Sequence, residues 1–355
     1  MMRPQKQVQT DAEIQLALIG LGYWGPNILR VLSDRDDVSV RWICDSDQGR
    51  LDRIARRYPG VQATAEAQDL FDDPALDAVL IATPVFTHSE LAAASLRAGK
   101  HTFVEKPLAG SAVEASELIG LADETELALM CGHTFIYSPP VIAVKELIDA
   151  GELGEIYFIT SSRVNLGLHQ SDVSVIWDLG PHDFSILRYW MEEAPESISA
   201  VGRDAIVDGL PDVAFVTARF PSGALANLEM SWLAPSKLRR TVLVGSEKMV
   251  IYDDGAPEPV RIFDHGVVYK DPGTFGEYQL SYRTGDILSP RIDTAEPLAN
   301  EMDEFIASVR RGAAPSGHTE LCRDVVGMIE AAESSLSQGG APAPVDVPRV
   351  GGVVE

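Results

Sequence analysis

Apolar and polar positions along this chain fall into two textures. In the first third, short apolar runs at 14–19, 38–44, 77–82, 101–104 and 127–130 alternate with stretches whose apolar residues recur three and four apart, at 26–32, 47–58, 89–98 and 115–123. Runs of the first kind read as buried strands and stretches of the second as amphipathic helices. Glycine, proline or aspartate marks most of the joints. Regular strand–helix alternation predicts an α/β domain, a doubly wound parallel sheet of Rossmann type, over residues 10–132.

The second texture begins after a helix at 140–150 that ends in Gly151. An extended stretch from Ile156 to Val164 precedes a helix near 176–191, and further extended stretches follow at 212–220, 224–232, 239–245, 248–252 and 260–263. Turn residues such as Pro221-Ser222-Gly223 separate them, so this α+β part should hold a large, mostly antiparallel open sheet with helices on one face. Helices at 297–311 and 318–336 come before a Pro- and Gly-rich tail with a short extended piece near Val345, and the second domain is read as 133–345. Ala226, Leu228 and Met230 alternate along one strand. That stripe is more apolar than a solvated face needs, which predicts sheet-to-sheet pairing into a homodimer.

Charge narrows the choice of partner. With 29 basic and 53 acidic residues and a formal net charge of −24, the surface cannot supply the basic patch that a phosphate backbone requires, so nucleic acid is excluded. A small molecule is the expected partner; an acidic protein suits a cationic one such as an aminosugar, although a generally acidic, well-solvated surface is the plainer reading of the charge. Residues Met1 to Glu13 are polar, and no long apolar run occurs, which predicts a protein that is neither exported nor membrane-spanning. Three cysteines, Cys44, Cys131 and Cys322, have no short spacing. They suggest neither a disulfide framework nor a metal site, and they fit a reducing cytoplasm.

The first strand runs into Gly20-Leu21-Gly22-Tyr23-Trp24-Gly25 and then a helix. In that setting Gly20 permits the tight turn, Gly22 lets backbone approach a pyrophosphate, and Gly25 lets helix pack on strand. The helix amino terminus then faces the anion. The second strand ends at Asp45, twenty positions after Gly25, where an acid can bond the adenine ribose and repel the extra phosphate of NADP, so the expected cofactor is NAD. Arg50 lies near enough in sequence to moderate that preference, and a turn or cap role is the plainer reading of Asp45. Tyr23 and Trp24 join the cofactor set as aromatics of the turn. Thr83, Pro84 and His88 join it at the end of the 77–82 strand, and Glu105 and Lys106 at the end of the next.

A lysine at the carboxyl end of a parallel strand, in Val104-Glu105-Lys106-Pro107, stands where open α/β sheets bind ligands. Asp178 and His182, in Trp177-Asp178-Leu179-Gly180-Pro181-His182-Asp183, lie one helical turn apart on one face. Pro181 fits a first turn, so the helix is expected to start near 177–180. Oxidising a secondary alcohol needs a base at the hydroxyl and a positive donor for the developing alkoxide. Lys106 and His182 suit those roles, with Asp178 orienting the imidazole. His133 and Tyr137, just after the domain joint, and Arg163 and Asn165, at the end of the second domain's first strand, are further candidate substrate contacts. His88, His101, His169, His265 and His318 also have a plain structural reading.

Four separated motifs, Gly20–Gly25, Thr83-Pro84, Glu105-Lys106-Pro107 and Asp178-x-x-x-His182, resemble those of the glucose-fructose oxidoreductase, inositol dehydrogenase and rhizopine-catabolism (Gfo/Idh/MocA) family. Gly132-His133-Thr134-Phe135, Ser231-Trp232-Leu233 and Glu296-Pro297-Leu298 are most similar to its branch of UDP-N-acetylglucosamine 3-dehydrogenases. The resemblance implies an NAD-dependent dehydrogenase acting on a ring hydroxyl, at C-3 of an aminosugar-type substrate, in biosynthesis of nucleotide sugars or aminosugar natural products. It also implies that Lys106 and His182 both contact the reacting hydroxyl, that the Lys106–Pro107 bond is cis, and that dimers pair into tetramers. An aminoglycoside, inositol or free-sugar dehydrogenase would share the same catalytic residues. A dinucleotide-binding sensor without chemistry would share only the fold.

Overall fold

The computed structural model describes residues 13–167, 173–270 and 279–347. His169 and the tail beyond 347 lie outside them. The chain forms two compact units, one built on residues up to Tyr137 and on 296–327, the other on 138–295 and 328–346.

In the first unit, β1 (Ile14–Ile19), β2 (Val38–Cys44), β3 (Gln62–Thr64), β4 (Ala78–Ile81), β5 (His101–Glu105) and β6 (Leu129–Gly132) form one sheet in the order β3-β2-β1-β4-β5-β6. Every neighbouring pair in it is parallel. This is the Rossmann order, with its switch point between β1 and β4, where a crevice opens at the carboxyl ends of the strands. The connecting helices are α1 (Gly25–Ser33), α2 (Gln48–Arg57), α3 (Ala67–Asp72), α4 (His88–Arg97) and α5 (Ala112–Thr125). Burial explains the run-like strand pattern: all four residues of β4 and all five of β5 are buried, as strands covered on both faces must be.

The second unit begins with α6 (Pro139–Asp149), β7 (Ile156–Leu166), α7 (Val175–Met191), β8 (Ser197–Arg203), β9 (Val213–Arg219), β10 (Leu225–Ser231) and β11 (Leu233–Gly245). It continues with β12 (Met249–Asp253), β13 (Val260–Lys270) and β14 (Gln279–Leu288). The chain then forms α8 (Pro297–Arg311), α9 (His318–Ser337) and β15 (Ala343–Pro344). Nine strands make one sheet in the order β14-β13-β12-β11-β7-β10-β9-β8-β15, antiparallel except between β7 and β10. No helix among the described residues is long and apolar enough to cross a membrane.

Two expectations change here. Linear boundaries at 10–132 and 133–345 miss the return of α8 to the first unit. Its stripe of Leu298, Met302, Phe305, Ile306 and Val309 completes the core formed by Leu16, Ile28, Leu32 and Phe103, and Phe305 meets Phe103 edge-on at 5.5 Å. A helix records in its sequence that one face is apolar, but not which core receives it. Likewise Ala226, Leu228 and Met230 do share a face, but they are buried beneath α7 and do not await a second subunit. The uncovered face carries exposed Phe158, Val201, Phe215 and Leu225, with Leu225 paired to Phe158 and Val201 to Phe215 across strands.

Candidate active site

The glycine turn closes tightly between β1 and α1. Gly20 has φ of +94°, and a Cβ there would stand 2.4 Å from the Ala82 carbonyl oxygen; at Gly25 it would stand 1.9 Å from that of Gly20. Neither position tolerates a side chain. At Gly22 a Cβ would meet nothing within 4 Å, which is the open approach a pyrophosphate requires. No side chain caps α1 at Trp24, so its amino-terminal dipole remains available to an anion. Tyr23 is exposed and stacks edge-on against Trp24 at 5.5 Å on the rim of the turn.

Asp45 is nearly buried and braces this turn. Its Oδ2 accepts the Leu21 N–H at 2.7 Å and its Oδ1 accepts the Asp47 N–H at 2.8 Å, while Arg50 Nη1 stands 3.5 Å from Oδ2. Asp45 is thus fixed at the carboxyl end of β2 with lone pairs to spare for a ribose diol. The cap of α2 is the neighbouring Asp47, whose side chain accepts from Arg50 N–H. These residues fit NAD.

At the ends of β4 and β5, His88 links two loops. Its Nδ1 lies 2.8 Å from the Pro107 carbonyl and its Nε2 2.8 Å from the Thr83 carbonyl, so the buried ring spans the Thr83-Pro84 and Lys106-Pro107 joints. Burial holds its pKa below the usual imidazole value. His88 positions the loops on which the cofactor candidates stand. Thr83 shares a 2.7 Å hydroxyl contact with Thr87. The Lys106–Pro107 bond is cis. Glu105 is buried and its Oε2 accepts the Lys106 N–H at 3.2 Å; burial pushes its carboxyl up to about 7 despite the opposing charge of Lys106. Half-buried Lys106 follows directly.

In the second unit, α7 starts at Val175, earlier than the proline suggested, because the Ser174 side chain caps it by accepting from Trp177 N–H. Pro181 therefore sits inside the helix, where it removes one backbone bond. Gly180 just before it lacks the Cβ that would crowd the proline ring. Asp178 and His182 project one turn apart, both half-buried, and Asp178 Oδ2 accepts from Trp232 Nε1 at 3.1 Å. Trp232 in turn packs near Gly167, where a Cβ would stand 2.7 Å from its ring, and Asn165 lies in the same group.

Arg163 has a different task. It is buried in a two-pronged pair with Asp183, Nε to Oδ2 at 2.8 Å and Nη2 to Oδ1 at 3.1 Å, and Ser161 donates to the same carboxylate at 3.1 Å. Burial opposes the charge, but Asp183 outweighs it and raises the guanidinium pKa. This pair ties α7 to β7. Nothing in the sequence distinguished Asp183 from Asp178, because only the helix rotation separates the face that meets the sheet from the one that does not.

His133 and Tyr137 lie in the first unit's interior. Cys131, His133 and Cys322 place their sulfur and nitrogen atoms within 4.8 Å of one another, a grouping that sequence spacing does not show because the cysteines converge across 191 positions, from β6 to α9. Tyr137 packs against the core completed by α8, and its carbonyl accepts from Asn300. Of the other histidines, His101 accepts the Ala128 N–H and His318 the Cys131 N–H, each at 3.0 Å.

Residues 14–133 match the oxidoreductase family with an NAD-binding Rossmann fold, and residues 141–251 match the Gfo/Idh/MocA C-terminal domain. The chain belongs to the Gfo/Idh/MocA family and is an NAD-dependent oxidoreductase. It is similar to an inositol 2-dehydrogenase of Rhizobium meliloti, 26% identical over 338 residues that cover 92% of this chain and 97% of the relative. A myo-inositol 2-dehydrogenase of Thermotoga maritima is 27% identical over 336 residues, again covering 92% and 97%. The crystal structure of GenD2 from gentamicin A biosynthesis in complex with NAD shares the fold, with a TM-score of 0.79 at 23% identity over 98% of this chain and 99% of that one.

Proposed function

We propose that the protein oxidises a secondary ring hydroxyl, at C-3 of an aminosugar-type substrate, to the ketone. The observation that carries this reading is the pair of polar groups that each unit offers: Lys106 at the carboxyl edge of a parallel sheet beside its switch point, and Asp178 with His182 one turn apart on α7. Bound NAD supplies the hydride acceptor. Lys106 donates to the substrate oxygen and steadies the alkoxide, His182 exchanges the hydroxyl proton, and Asp178, itself held by Trp232, orients the imidazole. Asn165 beside Trp232 and the exposed Tyr23 are secondary candidates for contact with substrate and cofactor. The strong acidity of the chain supports an amino-bearing substrate, and three free buried cysteines suit a cytoplasmic setting.

A second reading, inositol or another free polyol, is favoured by the full-length similarity to inositol dehydrogenases. A screen of nucleotide-linked hexosamines, aminoglycosides, inositols and free sugars with NAD, read as reduced nicotinamide, separates the two. Selective turnover of hexosamine-type substrates is expected. Turnover of inositols alone would replace the aminosugar reading with the second.

Asp45 sets the cofactor preference. NAD is expected to raise the melting temperature more than NADP, and Asp45→Ser to narrow that gap; equal stabilisation of the wild type by both would refute the assignment.

The uncovered sheet face supports self-association into dimers or tetramers, because Phe158, Phe215 and Leu225 expose apolar area that pairing would bury. Light scattering at micromolar protein should give a multiple of the chain mass, and Phe215→Glu should shift it toward the monomer. A monomeric wild type would overturn this reading.

A further inference from the structure

We propose that Cys131, His133 and Cys322 form a zinc-binding site that clamps the end of β6 to the start of α9.

All three side chains are buried, and their donor atoms lie within 4.8 Å of one another. A tetrahedral zinc ion with thiolate and imidazole bonds of about 2.3 and 2.0–2.1 Å holds its ligand atoms about 3.6–3.8 Å apart, so small side-chain rotations bring this set to bonding distance. His133 supplies the independent observation. Its ring is 1% exposed, neither Nδ1 nor Nε2 has an oxygen or nitrogen partner, and what the ring faces is the two sulfurs, Cys322 nearest to a bond with it. A buried imidazole whose only polar company is a thiol, a weak donor and acceptor, is an expensive arrangement that a metal bond would satisfy.

The surroundings suit a cation. Two thiolates neutralise a divalent zinc ion, which lets it stay in a buried site. His318 sits where an outer-shell partner belongs: its Nε2 accepts the Cys131 N–H, which leaves its ring proton on Nδ1 for the Cys322 sulfur. Glu301, buried with Oε1 lacking a partner, is close enough to couple electrostatically to both Cys131 and Cys322, and adds negative charge around the group. Cys131 pairs in register with Val104, so a clamp at this point also stiffens the strand that leads into Glu105 and Lys106.

The test uses the full-length protein, reduced and freed of metal, titrated with cobalt(II) as the probe. One equivalent per chain should produce thiolate-to-cobalt charge transfer and tetrahedral d–d bands, and zinc should displace it. Cys131→Ser with Cys322→Ser should abolish the bands, while Cys44→Ser, which removes the third cysteine in β2, should keep them. His133→Leu retains both thiols and should weaken binding by more than the roughly 10–100-fold that loss of an outer-shell partner costs. NAD-induced thermal stabilisation reports that each variant is folded, and the spectroscopic readout is independent of any catalytic assignment. Absence of charge transfer in wild type with three titratable thiols would overturn the proposal. So would bands that persist in the double variant, or undiminished affinity in His133→Leu.

Discussion

Lys106→Met is expected to lower turnover by on the order of 10² or more, because methionine keeps most of the stem while removing the charge and every donor that would steady the alkoxide. NAD binding should survive the change, since the glycine turn at Gly20–Gly25 and the Asp45 carboxylate stand at the ends of β1 and β2, apart from β5. His182→Ala should produce a comparable loss if the imidazole exchanges the hydroxyl proton as proposed. Steady-state kinetics beside NAD titration separates the effects. A Lys106→Met enzyme at near wild-type rate would make the lysine structural.

Arg163→Met is expected to destabilise the protein by about 3–5 kcal/mol, the usual cost of leaving one member of a buried ion pair uncompensated. Asp183 would remain buried with only Ser161 donating to it among the bonds described above. Urea denaturation measures the loss. The double substitution Arg163→Met with Asp183→Leu should recover most of it, because no buried charge is then stranded. If Arg163 instead touched substrate, the single variant would unfold near the wild-type midpoint and show a raised KM.

The parts legible in sequence were those encoded by neighbouring residues. The glycine turn declares itself because Gly20 and Gly25 have no room for a Cβ and because an apolar strand precedes them and a helix follows. Spacing alone carried Asp45 to the end of β2, and four-residue spacing put Asp178 and His182 on one helix face.

The parts that escaped depend on tertiary choices. Pro181 sits inside α7 because the Ser174 cap fixes the start of the helix one turn sooner. Alternation along β10 told which residues share a face, but α7 decides which face is covered. Cys131 and Cys322 meet only because α9 starts against the end of β6, and Arg163 meets Asp183 only because α7 lies on β7.

The most direct test is transfer of the substrate's own carbinol hydrogen. A hexosamine-type substrate deuterated at C-3 is incubated with the enzyme and NAD, and the reduced nicotinamide is examined by mass spectrometry. The proposed chemistry gives deuterium in the reduced cofactor, a 3-keto product, and loss of both in Lys106→Met. Deuterium left on the sugar while reduced nicotinamide accumulates, or deuterium transfer at the wild-type rate in Lys106→Met, would contradict it.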